Sequence, residues 1–128
     1  MSIEALTPEN TTIIMIDYAI GFANLIRSHD IMIHQNNALL LARTALDYKS
    51  GLVVTNGPSG KPSGPNYPKL QKIFGDQKVI ERGGMFDAFL FPEFAEAVAA
   101  TNRRNLVIGG LMTEGCVLQT ALGGARRL

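Results

Sequence analysis

The chain has 128 residues, of which 46% are hydrophobic and 18% are charged, and its formal net charge is +1. This length predicts one domain, spanning residues 1–128, with a core of its own. The near balance of charge gives no electrostatic reason to expect nucleic acid or an anionic membrane as a partner. No stretch approaches the ~20 apolar residues of a membrane span, and a single cysteine cannot form an internal disulfide. We therefore expect a cytoplasmic protein.

Short apolar runs and longer amphipathic stretches alternate along the chain. Four runs predict strands, at residues 11–17, 51–55, 78–81 and 105–110. Four stretches predict helices, at residues 31–49, 66–74, 91–101 and 116–128. The first helix is predicted to be amphipathic from residues at mixed spacings of three and four: Ile33, Asn37, Leu40, Leu41, Thr44, Ala45 and Tyr48. This alternation is typical of a doubly wound parallel sheet, so we predict a three-layer α/β/α fold with four strands.

The segment from Asn56 to Pro68 is rich in glycine and proline and is predicted to be a loop. It contains no Asp, Glu, His or Cys, and no G-x-x-x-x-G-K-[ST] motif that would cradle a phosphate. His29 and His34 have no cysteine or carboxylate at a metal-ligand spacing. An alternative is that the chain is a nucleotide- or flavin-binding module, but the sequence has no phosphate-binding motif that would support this alternative. We expect no metal and no cofactor.

The one cysteine, Cys116, follows a distinctive turn signal. An apolar run ends on Gly109 and Gly110, and Cys116 comes six residues later, at the start of a segment rich in helix formers. A helix N-terminus has free N–H groups and a positive partial charge, which favour a thiolate over a thiol. Cys116 is therefore a candidate nucleophile. The backbone N–H groups of Met112 and Cys116 are candidate donors to an oxyanion.

Two charged residues are expected at the same sheet edge as Cys116. Asp17 ends the first predicted strand and Arg82 follows the third, and ligands of such folds bind beyond the carboxyl ends of the strands. Asp17 is a candidate general base, and Arg82 is a candidate cation that pairs with Asp17 and stabilises a thiolate. The residue types alone also allow a core cysteine, a turn aspartate and an exposed loop arginine.

Three blocks of the sequence resemble the isochorismatase-like cysteine hydrolases, a family that includes nicotinamidase and N-carbamoylsarcosine amidase. The first block is Ile13-Ile-Met-Ile-Asp17. The second is Val79-Ile-Glu-Arg82 with Phe86-Asp-Ala-Phe89 after it. The third and most specific is Val107-Ile-Gly-Gly-x-x-Thr-Glu-x-Cys-Val117, followed by Thr120-Ala121. The resemblance extends over essentially the whole chain, to residue 128.

The resemblance implies an activity and a set of functional residues. Cys116 matches the family's nucleophile and Asp17 its general base, while the oxyanion donors fall on the backbone of Met112 and Cys116. The family usually has a non-proline cis peptide bond before the first donor, which here is Leu111–Met112. The implied reaction is hydrolysis of a small amide-like or related carbonyl substrate through a thioester, by a protein that forms homo-oligomers.

The sequence departs from the family pattern in three places. Arg82 stands where most members have lysine, which resembles a branch of small hydrolases with poorly defined substrates. The Asp-x-His metal site of nicotinamidases has no counterpart after the second strand. The chain also resembles a member cut short after the nucleophile's helix, without the family's C-terminal strands. These departures keep open an alternative, a non-catalytic oligomeric binding or interaction relative of the same fold.

Overall fold

A parallel four-stranded sheet forms the centre of the computed structural model, which describes residues 3–127. In spatial order the sheet runs β3-β2-β1-β4. The strands are β1 (Thr11–Ile16), β2 (Gly51–Asn56), β3 (Val79–Glu81) and β4 (Asn105–Gly110). The helices are α1 (Ile20–Ala23), α2 (Ile31–Asp47), α3 (Pro68–Phe74), α4 (Pro92–Ala100) and α5 (Leu118–Ala125). The predicted fold class is confirmed.

The register of the strands brings three of their carboxyl ends to one place. Every residue of β1 is buried, including Thr11 and Thr12, as is expected for a strand covered on both faces. Ile16 at its end lies beside Thr55 of β2 on one side and beside Gly110 of β4 on the other. The residues that follow these strands therefore start from neighbouring positions.

Helices cover both faces of the sheet. Ala38 and Ala42 of α2 pack on one face against Ile13 and Met15, together with residues of α3. On the other face, Phe94 of α4 packs with alternate β1 residues and the turn at residues 88–90. This arrangement is the three-layer α/β/α architecture that the sequence predicts.

The core side of α2 agrees with the predicted stripe only in part, since Ala45 is buried and Leu41 packs against the core. The buried residues of α2 are His34, Ala38, Ala42 and Ala45, so small side chains face the sheet. Ile33, Leu40 and Tyr48 point outward, and each is more than half exposed. Both stripes have helical spacing, so periodicity alone cannot select between them; alanines let the helix approach the sheet closely.

Several element boundaries also differ from the prediction. Each of the four predicted helices is shorter at one or both ends, and the last begins at Leu118 rather than Cys116. That helix ends at Ala125, and Leu128, to which it was predicted to run, lies outside the described residues. Helix α1 and a single turn at Ala88–Leu90 were not predicted. None of the helices in residues 3–127 has the length and apolar character needed to cross a membrane.

Candidate active site

Asp17 turns away from the sheet immediately after β1. Its backbone has a φ of 56°, a left-handed conformation that aspartate tolerates better than most residues. Its N–H donates to the carbonyl oxygen of Thr55 at 3.1 Å, which fixes the turn to the end of β2. The side chain is buried, with only 2% of the residue exposed. A buried carboxylate of this kind needs a partner.

Arg82 supplies that partner. Its Nη1 donates to Asp17 Oδ1 at 2.8 Å and its Nη2 donates to Asp17 Oδ2 at 2.5 Å, so the ion pair is bidentate. Its Nε donates to the carbonyl oxygen of Met85 at 2.9 Å. Arg82 is also only 2% exposed, which excludes the alternative of a solvated loop charge. Burial opposes the charged form, but hydrogen bonding and the charge of Asp17 outweigh it and raise the pKa of Arg82.

Thr55 is a supporting residue that the sequence reasoning missed. Its hydroxyl donates to the carbonyl oxygen of Ile80 at 2.8 Å and accepts from Nη1 of Arg82 at 3.4 Å. It thereby connects the end of β3 to the guanidinium. The available signal was a polar residue at the carboxyl end of an otherwise apolar buried strand.

Cys116 lies in a wide turn before α5 and not in the first turn of that helix. The turn covers Thr113–Val117, and the N–H of Val117 donates to the carbonyl oxygen of Met112, five residues earlier, at 3.3 Å. Gly115 has non-helical dihedral angles, with φ −103° and ψ −105°. The prediction that a helix begins at Cys116 is therefore wrong by two residues. Cys116 is half-buried against the core beneath α4.

The thiol of Cys116 is neutral in the resting protein. Burial raises the pKa of Cys116, and the hydrogen bonding and charge of Asp17 raise it further, to about 11. Arg82 acts in the opposite direction and only partly compensates. The expectation that a helix N-terminus favours the thiolate here is therefore wrong. The resting site is a thiol beside a buried ion pair.

The glycine pair before Cys116 lets the chain leave β4 in close contact with β1. A Cβ at Gly110 would lie 2.2 Å from the carbonyl oxygen of Ile16, so no larger residue fits there. The N–H of Leu111 donates to that same oxygen at 3.0 Å. The Leu111–Met112 peptide bond that follows is cis, at the position that the family resemblance implies.

A cleft of about 210 Å³ brings Asp17, Arg82 and Cys116 together. Phe22 and Phe86 also line this cleft. The two other predicted site residues, Leu111 and Met112, line a neighbouring cleft of about 280 Å³. Within residues 3–127 the N–H of Met112 donates to no protein acceptor, so it is available to a ligand. The sites predicted from the sequence thus meet at one sheet edge but face two clefts.

No group of three or more His, Cys, Asp or Glu side chains in the described part of the chain could hold a metal ion. Each of the two histidines is hydrogen-bonded to a hydroxyl group. His34 is buried, its Nε2 is hydrogen-bonded to the Tyr67 hydroxyl at 2.8 Å, and burial lowers the pKa of His34. The Nδ1 of His29 is hydrogen-bonded to the Ser28 hydroxyl at 2.9 Å.

Comparison with known proteins identifies the class. The family model of the isochorismatase domain matches residues 11–127, so the chain belongs to the isochorismatase family. The chain is 31% identical over 117 residues to the probable hydrolase YcaC of Escherichia coli K12. This match covers 91% of this chain and 56% of YcaC. The chain thus spans little more than half the length of this curated relative.

Two solved structures are similar in fold throughout the chain. The crystal structure of Escherichia coli YcaC, described as an octameric hydrolase of unknown specificity, matches with a TM-score of 0.93 and 28% identity. The match covers 99% of this chain and 62% of that one. YcaC from Pseudomonas aeruginosa, solved with hexane-2,5-diol and covalent acrylamide, matches with the same TM-score and 27% identity. Here the coverage is 99% of this chain and 63% of the other.

The thiol pKa gives a direct test of the site's electrostatics. In the wild-type protein we expect thiolate absorbance at 240 nm to appear only as the pH rises toward about 11. Asp17→Asn removes the negative charge that disfavours the thiolate, so it should lower the pKa of Cys116. Because this chain has one cysteine, Cys116→Ser supplies the blank for both titrations.

Circular dichroism of Asp17→Asn at neutral pH checks that the variant is folded, because the substitution leaves Arg82 without its anionic partner. The wild-type titration does not depend on that variant. A wild-type thiol that ionises at or below the ordinary range of about 8.5 would contradict the electrostatic account.

Proposed function

We propose that the chain is a cysteine hydrolase that acts on small amide-like or related carbonyl compounds. In this proposal Cys116 is the nucleophile, Asp17 is the general base, and Arg82 holds Asp17 in place. The observation that carries the proposal is the position of one thiol in a cleft with a buried, bidentate carboxylate–guanidinium pair. A nucleophile, a base and a group that orients the base are the parts that covalent catalysis requires.

The first half-reaction starts from the neutral thiol. Each carboxylate oxygen has two lone pairs, so Asp17 can accept the thiol proton while Arg82 occupies one lone pair of each oxygen. As that proton moves to Asp17, the sulfur of Cys116 attacks the carbonyl carbon and a tetrahedral oxyanion forms. The carbon–nitrogen bond then breaks, and the departing amine takes the proton from Asp17. The product on the enzyme is a thioester.

The second half-reaction repeats the proton transfer with water. Asp17 takes a proton from a water molecule while the water oxygen attacks the thioester carbon. The carbon–sulfur bond breaks, the acid is released, and the proton on Asp17 returns to Cys116. Both half-reactions thus begin and end with the same neutral thiol and the same ion pair.

Arg82 acts as a positioning and electrostatic group, since an arginine does not exchange protons near neutral pH. Its planar guanidinium fixes both carboxylate oxygens, which a lysine ammonium at this position cannot do in a bidentate manner. Its charge also stabilises the thiolate that forms during attack, because it lowers the pKa of Cys116.

The N–H groups of Met112 and Cys116 are the proposed donors to the oxyanion. The N–H of Met112 has no protein acceptor among residues 3–127, and Cys116 lies in the turn that follows it. Such donors are effective because their positions are set before the reaction begins.

The relatives give independent support. Acrylamide reacts with nucleophiles such as thiolates, and it is covalently bound in the structure of the Pseudomonas aeruginosa relative. A reactive nucleophile in that protein is consistent with the role proposed for Cys116 in this chain.

Replacement of the nucleophile tests the proposal. We expect Cys116→Ala to lower the rate of hydrolysis of p-nitrophenyl acetate and of a panel of small amides by about 10³-fold or more, since a covalent pathway is lost. The half-buried side chain is small, so the variant should unfold at nearly the same urea concentration as the wild type. Nitrophenolate and ammonia release are the measurements.

Thr113→Ala, an exposed substitution in the same turn, is the matched control and should retain activity. A Cys116→Ala variant that keeps wild-type rates contradicts the proposal. A wild-type protein that hydrolyses none of these compounds would favour a non-catalytic binding role.

We also propose that the chain assembles with copies of itself. The description of Escherichia coli YcaC as octameric supports this, as do the outward-facing Met32, Ile33 and Leu40 of α2, which are 51%, 58% and 65% exposed. Static light scattering should give a mass above the 13.8 kDa of one chain, and Leu40→Glu should lower that mass. A monomer at micromolar concentration would contradict assembly.

A further inference from the structure

The candidate active-site cleft has one positive charge that its own residues do not balance. Asp17 and Arg82 neutralise each other, and the thiol of Cys116 is uncharged at neutral pH. Lys61 is the remaining ionised residue that lines this cleft. The ion pairs of residues 3–127 are Arg82–Asp17 and Lys78–Glu93, so no described carboxylate lies within 4.0 Å of Lys61 Nζ.

Lysines on loops are commonly solvated and without function, but the backbone of Lys61 is fixed. Its N–H donates to the carbonyl oxygen of Pro58 at 3.0 Å. Its own carbonyl oxygen accepts from the N–H of Gly64 at 2.8 Å. Two consecutive turns therefore define where the Lys61 side chain leaves the loop.

The loop that carries Lys61 is also packed directly onto α1. The N–H of Gly21 donates to the carbonyl oxygen of Ser63 at 2.8 Å. A Cβ at Gly21 would lie 2.3 Å from the carbonyl oxygen of Pro62, so only glycine permits this contact. The loop is thereby held against the element that follows the catalytic carboxylate in the chain.

The walls beside Lys61 are apolar. Phe22 of α1 and Phe86, which is 64% exposed, line the same cleft. An aromatic surface with one unbalanced cation favours a small ligand that combines an apolar part with an anionic group. Asp17, the one acidic residue of this lining, is already paired.

Building on the proposed hydrolase function, we propose that Lys61 forms an anion-binding subsite and that the substrate is a small amide bearing a carboxylate. The carboxylate lies at Lys61 while the scissile carbonyl carbon lies at Cys116. The subsite raises the local concentration of anionic compounds at the nucleophile and fixes their orientation in the cleft.

A pair of alkylating agents tests the subsite without any need for turnover. Iodoacetate and iodoacetamide both form a carbon–sulfur bond with the thiolate and release iodide, and they differ in that only iodoacetate carries a carboxylate. Since the chain has one cysteine, the adduct at Cys116 is the one that peptide mapping finds in the wild type and that Cys116→Ser lacks. The ratio of the two alkylation rates cancels any change in the pKa or accessibility of the thiol.

We expect Lys61→Gln to lower the ratio of the iodoacetate rate to the iodoacetamide rate by about threefold or more, as the loss of one nearby charge implies. Lys72→Gln, which removes the same charge from α3, is the matched control and should leave the ratio unchanged. Added salt should lower the wild-type ratio toward that of Lys61→Gln.

An equal ratio in the wild type and in Lys61→Gln would overturn the subsite. This result is independent of the test of hydrolysis. If Cys116→Ala abolishes hydrolysis but the ratio does not change, the hydrolase proposal stands and the subsite falls. If the ratio changes but the wild type hydrolyses nothing, the anion subsite stands and the hydrolase proposal falls.

Discussion

The buried ion pair between Asp17 and Arg82 is the interaction on which the rest of the site depends. Both side chains are almost fully buried, so each needs the other: loss of one partner of a buried pair typically costs ~3–5 kcal/mol. The pair also spans the sheet edge, because Asp17 follows β1 and Arg82 follows β3, with β2 between them. Arg82 also donates hydrogen bonds to the carbonyl oxygen of Met85 and the hydroxyl of Thr55. The edge of the sheet is thus fixed before any ligand binds.

The state of Cys116 follows from this pair. Burial is the largest cause of the raised pKa of Cys116, the carboxylate of Asp17 raises that pKa further, and the guanidinium of Arg82 lowers it by less. In the proposed mechanism the nucleophile is therefore a thiol with its base alongside, and its attack is coupled to proton transfer. A thiol reacts less readily with oxidants and other electrophiles than a thiolate, so this environment protects the sulfur of Cys116. Lys61 adds to this site a positive charge that is not balanced by the ion pair or by the thiol.

Much of the fold was predictable because the strands and helices have recognisable local sequence patterns. Short, mostly apolar runs mark the parallel strands, and placing Asp17 and Arg82 at strand ends was enough to predict that they meet. The inner face of α2 was not predictable, since two stripes have helical spacing and only packing against the sheet selects the alanines. The pKa of Cys116 could not be read from the sequence either. It depends on the burial of the thiol and on a carboxylate 99 positions earlier in the numbering. The contacts of Thr55 and Gly21 are likewise tertiary.

The central claim is that a thiol activated by the buried pair forms a covalent acyl-enzyme. The most direct measurement is intact-mass spectrometry after the wild-type protein is mixed with p-nitrophenyl acetate and quenched in acid, followed by peptide mapping. The account predicts a gain of one acetyl group on the peptide that contains Cys116, removed by hydroxylamine as a thioester is. Turnover of the ester with no acyl group on Cys116, or with the acyl group on another residue, would contradict it.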